Sequence, residues 1–209
     1  YPEYKANRGE TPEDLIPQFE LIKKSVKAFS IPQLEIEGYE ADDIIATYTQ
    51  KAQKLNISSL IISSDKDLMQ LVNDKVEMLD PMKNKRIGIN EVIEKFGVEP
   101  NKVTQIQALT GDKIDNIPGA PGIGPKIALE LIKQFGNIDG LIKNVKDIKQ
   151  DKRKKVIRDS EKDIRISLEL VKLDNYVKQD IKLIEQDLII LKMELMDVAM
   201  STRLVFLIQ

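Results

Sequence analysis

Three short stretches carry acidic residues in pairs: Tyr39-Glu40-Ala41-Asp42-Asp43, Ser64-Asp65-Lys66-Asp67 and Gly111-Asp112-Lys113-Ile114-Asp115-Asn116. Grouped carboxylates suit hard divalent cations, which take oxygen ligands. Two such cations about 3.5–4 Å apart can clamp the attacking and leaving oxygens of an in-line phosphoryl displacement. Each pair also has an ordinary reading. Glu40, Asp42 and Asp43 open a helix, where acids complement the macrodipole. Asp65 is a candidate N-cap, and Asp112 and Asp115 suit a turn. Composition narrows the choice. The chain has no Cys, no His and no Trp. A Ser-His-Asp triad, a Cys nucleophile, a zinc site of N/S type and a disulfide are therefore excluded. Any metal must be held by oxygen, and any general acid or base must be Asp, Glu, Lys, Tyr or a metal-bound water.

A second constellation is Ile117-Pro-Gly119-Ala-Pro-Gly122-Ile-Gly124-Pro-Lys126-Ile-Ala128, with glycines immediately before a helix. Glycine lets the backbone approach an anion, and the free N–H groups of a helix start favour phosphate. It is not a P-loop, because Pro125 follows Gly124 where Lys-Ser/Thr belongs. It is a poor dinucleotide fingerprint, because Gly122-x-Gly124-x-x lands on Ile127 and no clear strand precedes it. A helix-turn-helix clamp on a nucleic-acid backbone fits better and needs no base readout. The plain alternative is a tight interhelical turn with glycine for packing.

Charge is unevenly spread. From Glu35 to Asp67 seven acids face three bases, whereas from Lys126 to Arg158 ten bases face four acids. The basic run Lys152-Arg-Lys-Lys155 with Arg158 is an ordinary solvated face on its own, but beside a phosphate-binding loop it extends a nucleic-acid track.

The elements that must position these groups follow from periodicity. Thr11-Pro12-Glu13-Asp14 predicts a helix start, with Leu15, Phe19, Ile22, Val26 and Phe29 at helical spacing behind it. Gln33-Leu-Glu-Ile-Glu37 alternates and predicts a short strand. A helix from Ala41 to about Leu55, a buried strand at Ser59–Ser63, a short helix near Leu68–Val72 and a strand at Val76–Leu79 follow. This alternation predicts an α/β fold with a mostly parallel sheet flanked by helices. After about Gly97 the pattern changes to helices joined by Gly/Pro turns, including Asn101–Leu109, Lys126–Phe135 and a basic helix around Lys152–Arg158. At 209 residues and 23.8 kDa the chain suits one large domain or two small ones. The reading is an α/β unit over 1–97 and a helical unit over 98–209.

Taken together, Tyr4-Lys5-Ala-Asn-Arg8, Gly38-Tyr-Glu-Ala-Asp-Asp43, Ser64-Asp-Lys-Asp-Leu68, Ala108-Leu-Thr-Gly-Asp112, Asp115-Asn-Ile-Pro-Gly119 and Gly122-Ile-Gly124 with Lys126 resemble the 5′-nuclease domain of bacterial DNA polymerase I. That domain is a member of the flap endonuclease superfamily. The resemblance runs over roughly residues 1 to 175. It implies a Rossmann-like (PIN-like) core followed by a helix-three-turn-helix element at about 108–136. It also implies two-metal hydrolysis of DNA phosphodiesters with Mg²⁺ or Mn²⁺.

Under that resemblance Glu40, Asp42, Asp43, Asp65, Asp67, Asp112 and Asp115 match metal-binding acids. Lys5 and Arg8 match bases at the scissile phosphate, and Tyr4 matches an aromatic near the substrate end. Gly119, Gly122, Gly124 and Lys126 match a DNA-backbone clamp that can also hold K⁺. The implied partner is DNA as a 5′ flap, a nicked duplex or RNA-primed DNA, bound by a monomer in the bacterial cytoplasm with activity at the nucleoid and no membrane. The family's first strands, with two further metal-site acids, would precede Tyr1, so the chain reads as an N-terminally truncated fragment without the polymerase domain. Met193–Gln209 departs from the family's domain end. Two other readings stand beside this one. A non-catalytic, sequence-independent DNA-binding module would keep the clamp with part of the metal site missing. A PIN-type RNase would share the acid-rich core but gives no reason for the clamp.

Overall fold

The computed structural model describes residues 1–9 and 11–177 and the backbone of a strand at 203–207. Ser58–Ile62 forms β1, Val76–Asp80 forms β2, Lys85–Ile87 forms β3 and Arg203–Leu207 forms β4, in the sheet order β3-β2-β1-β4. β1 pairs in parallel with β2 and β4, and β3 closes antiparallel on β2. Ile61 of β1 and Val76 and Met78 of β2 are fully buried, so the apolar runs lie in the interior. The β1–β2 crossover carries a 3₁₀ turn, Asp67–Leu71, where a short helix was expected.

Two helices precede β1: α1, Ile16–Ala28, and α2, Ala41–Lys54. α2 buries Ile44, Ile45, Ala46 and Ala52 and follows the predicted span. α1 begins later than expected. The Leu15 N–H closes a turn on the Pro12 carbonyl (3.0 Å), and the helix starts after it. The apolar spacing of α1 is helical, yet the helix buries none of its residues and leaves Leu15, Phe19 and Phe29 exposed. The strand expected at Gln33–Glu37 does not form. Only Ile36 of that run is buried, against Ile44 and Val177, and no strand among the described residues offers it a ladder. Gln33 and Glu35 instead fasten the run to α1, through the Lys23 carbonyl (2.7 Å) and the Lys23 ammonium (2.8 Å).

The second half is helical: α3 is Ile89–Phe96, α4 Val103–Thr110, α5 Pro125–Phe135, α6 Ile138–Lys143, α7 Asp151–Asp159 and α8 Glu161–Val171. One core gathers Leu109, Ile132, Leu141, Ile157 and Ile164 from these helices, while a second joins Ile45, Ile61, Leu68 and Met78 beneath the sheet. α4 packs on both α5 and α8. Residues 193–202, 208 and 209 of the segment that departs from the family pattern lie outside the described residues.

Candidate metal and nucleic-acid site

The loop after β1 brings Asp65 and Asp67 to the carboxyl end of the central strand, where ligands bind in open α/β sheets. The Asp65 N–H donates to Ser63 Oγ (3.0 Å) and the Asp67 N–H to Asp65 Oδ1 (2.9 Å), which sets the loop. Asp42, in the first turn of α2, belongs to the same cluster. Burial first, then the charges of Asp65, Glu40 and Asp67, push its carboxyl up to about 6. Burial and the Asp65 charge likewise raise Asp67, against the pull of Lys66 and of a hydrogen bond from Gln107.

Asp112 is held low. Burial would raise it, but the Lys66 ammonium at 2.7 Å and the Ile114 N–H at 2.8 Å outweigh that. The same pairing with Asp112 raises Lys66. Asp115 takes the Arg8 guanidinium on one oxygen, from Nη2 at 2.5 Å and Nε at 3.1 Å. Glu40 takes Lys5 Nζ at 2.5 Å. Burial lowers Lys5, but Glu40 and Tyr4 more than offset it, so its ammonium is strengthened.

Asp43 is placed differently. Its oxygens accept the Asp174 N–H (2.8 Å) and the Glu40 N–H (3.4 Å), so it closes the start of α2 and fastens the segment after α8. Among the described residues no three acids are grouped closely enough to hold one ion. Lys5, Arg8 and Lys66 pair instead with Glu40, Asp115 and Asp112. The donor set nevertheless fits a hard divalent cation. It is all oxygen, its members repel one another, and the buried Oε1 of Gln107, the residue bonded to Asp67, has no partner.

The cations arrive on the segment before α1, which is stitched across the Asp112–Asn116 loop. Asn7 Nδ2 donates to the Lys113 carbonyl (2.8 Å), Asn116 Nδ2 to the Glu3 carbonyl (2.7 Å) and the Lys5 N–H to the Asp115 carbonyl (2.9 Å). Lys5 adopts a left-handed backbone at φ 58°, a conformation that costs a non-glycine residue on the order of 1 kcal/mol and that clusters at functional sites. Its ammonium lies 4.7 Å from the centre of the Tyr4 ring, which is half-buried against the helical core.

The glycine-rich turn divides into two parts. Gly122, Gly124 and Lys126 are at the surface or nearly so, and a Cβ on either glycine would meet nothing within 4 Å. Packing therefore does not require glycine there, and the backbone is open to a close-approaching chain. Pro125 begins α5 after Gly124, and no side chain caps the N–H groups of the helix's first turn. Gly119 does not share that exposure. It is buried at φ +61°, its N–H donates to Ser167 Oγ (2.9 Å), and the Gly111 backbone fills the space of a Cβ. Gly119 is the packing glycine of the turn.

Two polar residues at the acids were not singled out from sequence. Lys66 stands between two predicted site acids, so its position was a usable signal. Gln107 gave none, because its bond to Asp67 (2.5 Å) joins α4 to the 3₁₀ turn across the fold.

The coupled acids give a pH expectation. A carboxyl raised in the folded state binds more protons there than in the unfolded chain, so stability falls as pH rises from about 4 to about 6. A shift of this size corresponds to about 3 kcal/mol undiscounted, and the solvent access that remains at partly buried Asp42 reduces it to roughly 1 kcal/mol. Acids held low by partners, such as Asp112 and Glu91, act in the opposite sense and add stability as pH rises. In EDTA the melting temperature should fall between about pH 5 and pH 7, and Asp42→Asn should flatten the fall. Scanning calorimetry at the two pH values checks this.

An α/β unit with acids beyond its central strand, followed by a helical unit with a glycine-rich turn between α4 and α5, defines the fold class of the 5′-nucleases. The chain belongs to the 5′-3′ exonuclease family. Residues 1–97 match its N-terminal resolvase-like domain and residues 98–195 its C-terminal SAM fold. Among curated relatives, DNA polymerase I of Rhizobium leguminosarum is 51% identical over 183 residues, covering 88% of this chain and 18% of that protein. The 5′-3′ exonuclease of Aquifex aeolicus is 40% identical over 188 residues, covering 90% of this chain and 63% of that one. The chain thus spans about a fifth of the polymerase and under two thirds of the exonuclease. Among solved structures, the T5 5′-exonuclease with bound divalent zinc ions is similar at a TM-score of 0.75 and 29% identity, over 84% of this chain and 69% of that one. The bacteriophage T5 flap endonuclease in a pseudo-enzyme-product complex with DNA and metal ions has a TM-score of 0.71 and 28% identity, over 84% and 68%. No helix among the described residues is long and apolar enough to cross a membrane.

Proposed function

We propose that this chain is a divalent-metal-dependent, structure-specific 5′-3′ exonuclease and flap endonuclease. It hydrolyses DNA phosphodiester bonds at 5′ flaps, nicks and RNA-primed ends during replication and repair, acting as a monomer on DNA in the bacterial cytoplasm. The observation that carries this reading is the cluster of Asp42, Asp65, Asp67 and Asp112, coupled in charge and bordered by Lys5, Lys66 and Arg8. Asp42, Asp65 and Asp67 would hold Mg²⁺ or Mn²⁺ with Glu40, Asp112 and Asp115, once those acids exchange their present partners. Asp43 keeps α2 in place. Bound there, two such ions supply Lewis acidity and an activated water.

The remaining work falls to the chain's own groups. Lys5 and Arg8, both positively charged and both resting on site acids, are released to neutralise charge developing on the scissile phosphate. Tyr4 presents an aromatic surface beside them for the terminal base. Gly122, Gly124 and Lys126 grip duplex backbone away from the cut, without base readout. The carbonyls of the same turn provide a K⁺ site, which exchange of K⁺ for Na⁺ in a duplex-binding assay tests.

One observation favours a second reading. The described acids, as paired, do not gather in threes, which suits a DNA-binding module without catalysis. Cleavage of a labelled 5′-flap duplex decides between them, run with Mg²⁺, with EDTA and with Asp65→Asn. Metal-dependent cleavage lost in the variant supports the nuclease. Flap binding that weakens with salt, with no cleavage in any arm, supports the module. Preferential cleavage of single-stranded RNA would overturn both.

A further inference from the structure

Gln107 lies on α4, in the helical half, and is 7% exposed. Its Nε2 donates to Asp67 Oδ1 at 2.5 Å, across forty residues of sequence. Its Oε1 is also buried and has no hydrogen-bond partner, one of two such side-chain atoms among the described residues. A buried amide with one end satisfied and the other bare loses hydration without return, and such groups are rare unless a ligand or water completes them. The amide geometry keeps Oε1 beside Nε2, so the bare acceptor lies close to the Asp67 carboxylate. An apolar residue of equal length would fill this place in the core without leaving an orphaned acceptor.

We propose that Gln107 is a positioning residue for the cation site: Nε2 fixes Asp67 by one oxygen, and Oε1 accepts a hydrogen bond from water hydrating the bound cation. The inference rests on the reading of Asp67 as a metal-binding acid. Partners that orient a ligand in this way contribute roughly 10–100-fold to metal affinity. Gln107 also ties the site to α4, so the helical half takes part in setting the geometry of an acid that belongs to the α/β half.

The test is Mn²⁺ binding to the full chain without DNA, followed by the electron paramagnetic resonance of free Mn²⁺, beside a thermal melt. Gln107→Met keeps length and burial and removes both polar ends. Gln107→Asn keeps an amide but shortens its reach, and serves if the methionine variant does not fold. The expected result is Mn²⁺ dissociation constants raised about 10–100-fold in either variant, with melting in EDTA close to wild type. The double variant Gln107→Met/Asp67→Asn should bind no more weakly than Asp67→Asn alone, because the two residues act as one unit. If Asp67→Asn weakens Mn²⁺ binding and Gln107→Met does not, the amide is a packing tie and the proposal falls alone. If wild type and Asp67→Asn bind Mn²⁺ equally, or wild type binds none, the metal reading and the proposal fall together.

Discussion

Gly119→Ala should destabilise the helical half by about 2–6 kcal/mol. An added Cβ would lie 2.4 Å from the Gly111 nitrogen and 2.7 Å from the Thr110 carbonyl carbon, both backbone atoms that no rotamer change can move. The residue also has φ +61°, where alanine is strained. Overpacking costs about 1–3 kcal/mol and left-handed strain about 1–3 kcal/mol more, against a total stability of roughly 5–15 kcal/mol. Gly111 faces Gly119 across the same contact, its own Cβ position 2.5 Å from the Ile117 carbonyl oxygen. By contrast Gly122→Ala meets no atoms and carries only the backbone strain of φ +76°, so its melting temperature should move far less. Urea unfolding of the two variants beside wild type tests the pair. Equal midpoints for both would mean that the 111–119 contact does not hold the turn.

The second large effect belongs to Arg8. Arg8→Ala should reduce flap cleavage by about 10²–10³, the usual cost of losing one donor aimed at developing negative charge. In the resting protein the same change frees Asp115 of its guanidinium partner. Divalent cation binding should therefore hold or tighten while turnover collapses. That division separates a phosphate-facing cation from one that merely builds the metal site. Single-turnover rates with saturating Mg²⁺, measured beside Mn²⁺ titrations, provide it. Arg8→Lys should recover part of the rate, since charge remains while the fork of donors is lost.

Much of this arrangement was legible in the residue order. Ser58–Ile62 is too apolar for a surface strand, and Ala41–Lys54 shows its buried face at helical spacing, so both elements follow from local pattern. The acid pairs were legible for a different reason: a chain without His or Cys has few other residues with which to bind a metal. What local pattern missed depends on neighbours. Gln33–Glu37 alternates as a strand does, but alternation cannot supply a partner edge, and Gln33 and Glu35 bond to Lys23 instead. The apolar residues of α1 predict a helix correctly and a buried face incorrectly, since nothing among the described residues covers it. Gly119 and Gly122 are indistinguishable by type, and only the approach of Gly111 separates a packing glycine from an exposed one. Asp42 and Asp43 are adjacent on α2, yet a turn of 100° per residue sends one toward Asp65 and the other to Asp174.

The stitching of the first segment onto the Asp112–Asn116 loop also bears on how the molecule assembles. Asn7 to Lys113, Arg8 to Asp115 and Asn116 to Glu3 close loops of 106, 107 and 113 residues. Contacts of that range carry a large closure entropy and tend to form late. The helices and the parallel strand pair can each condense before any of them. The candidate site is then completed late on folding, and its exposed stitches make it prone to fray. Amide exchange in residues 3–8 should report that opening well before the Ile157 or Ile61 amides exchange.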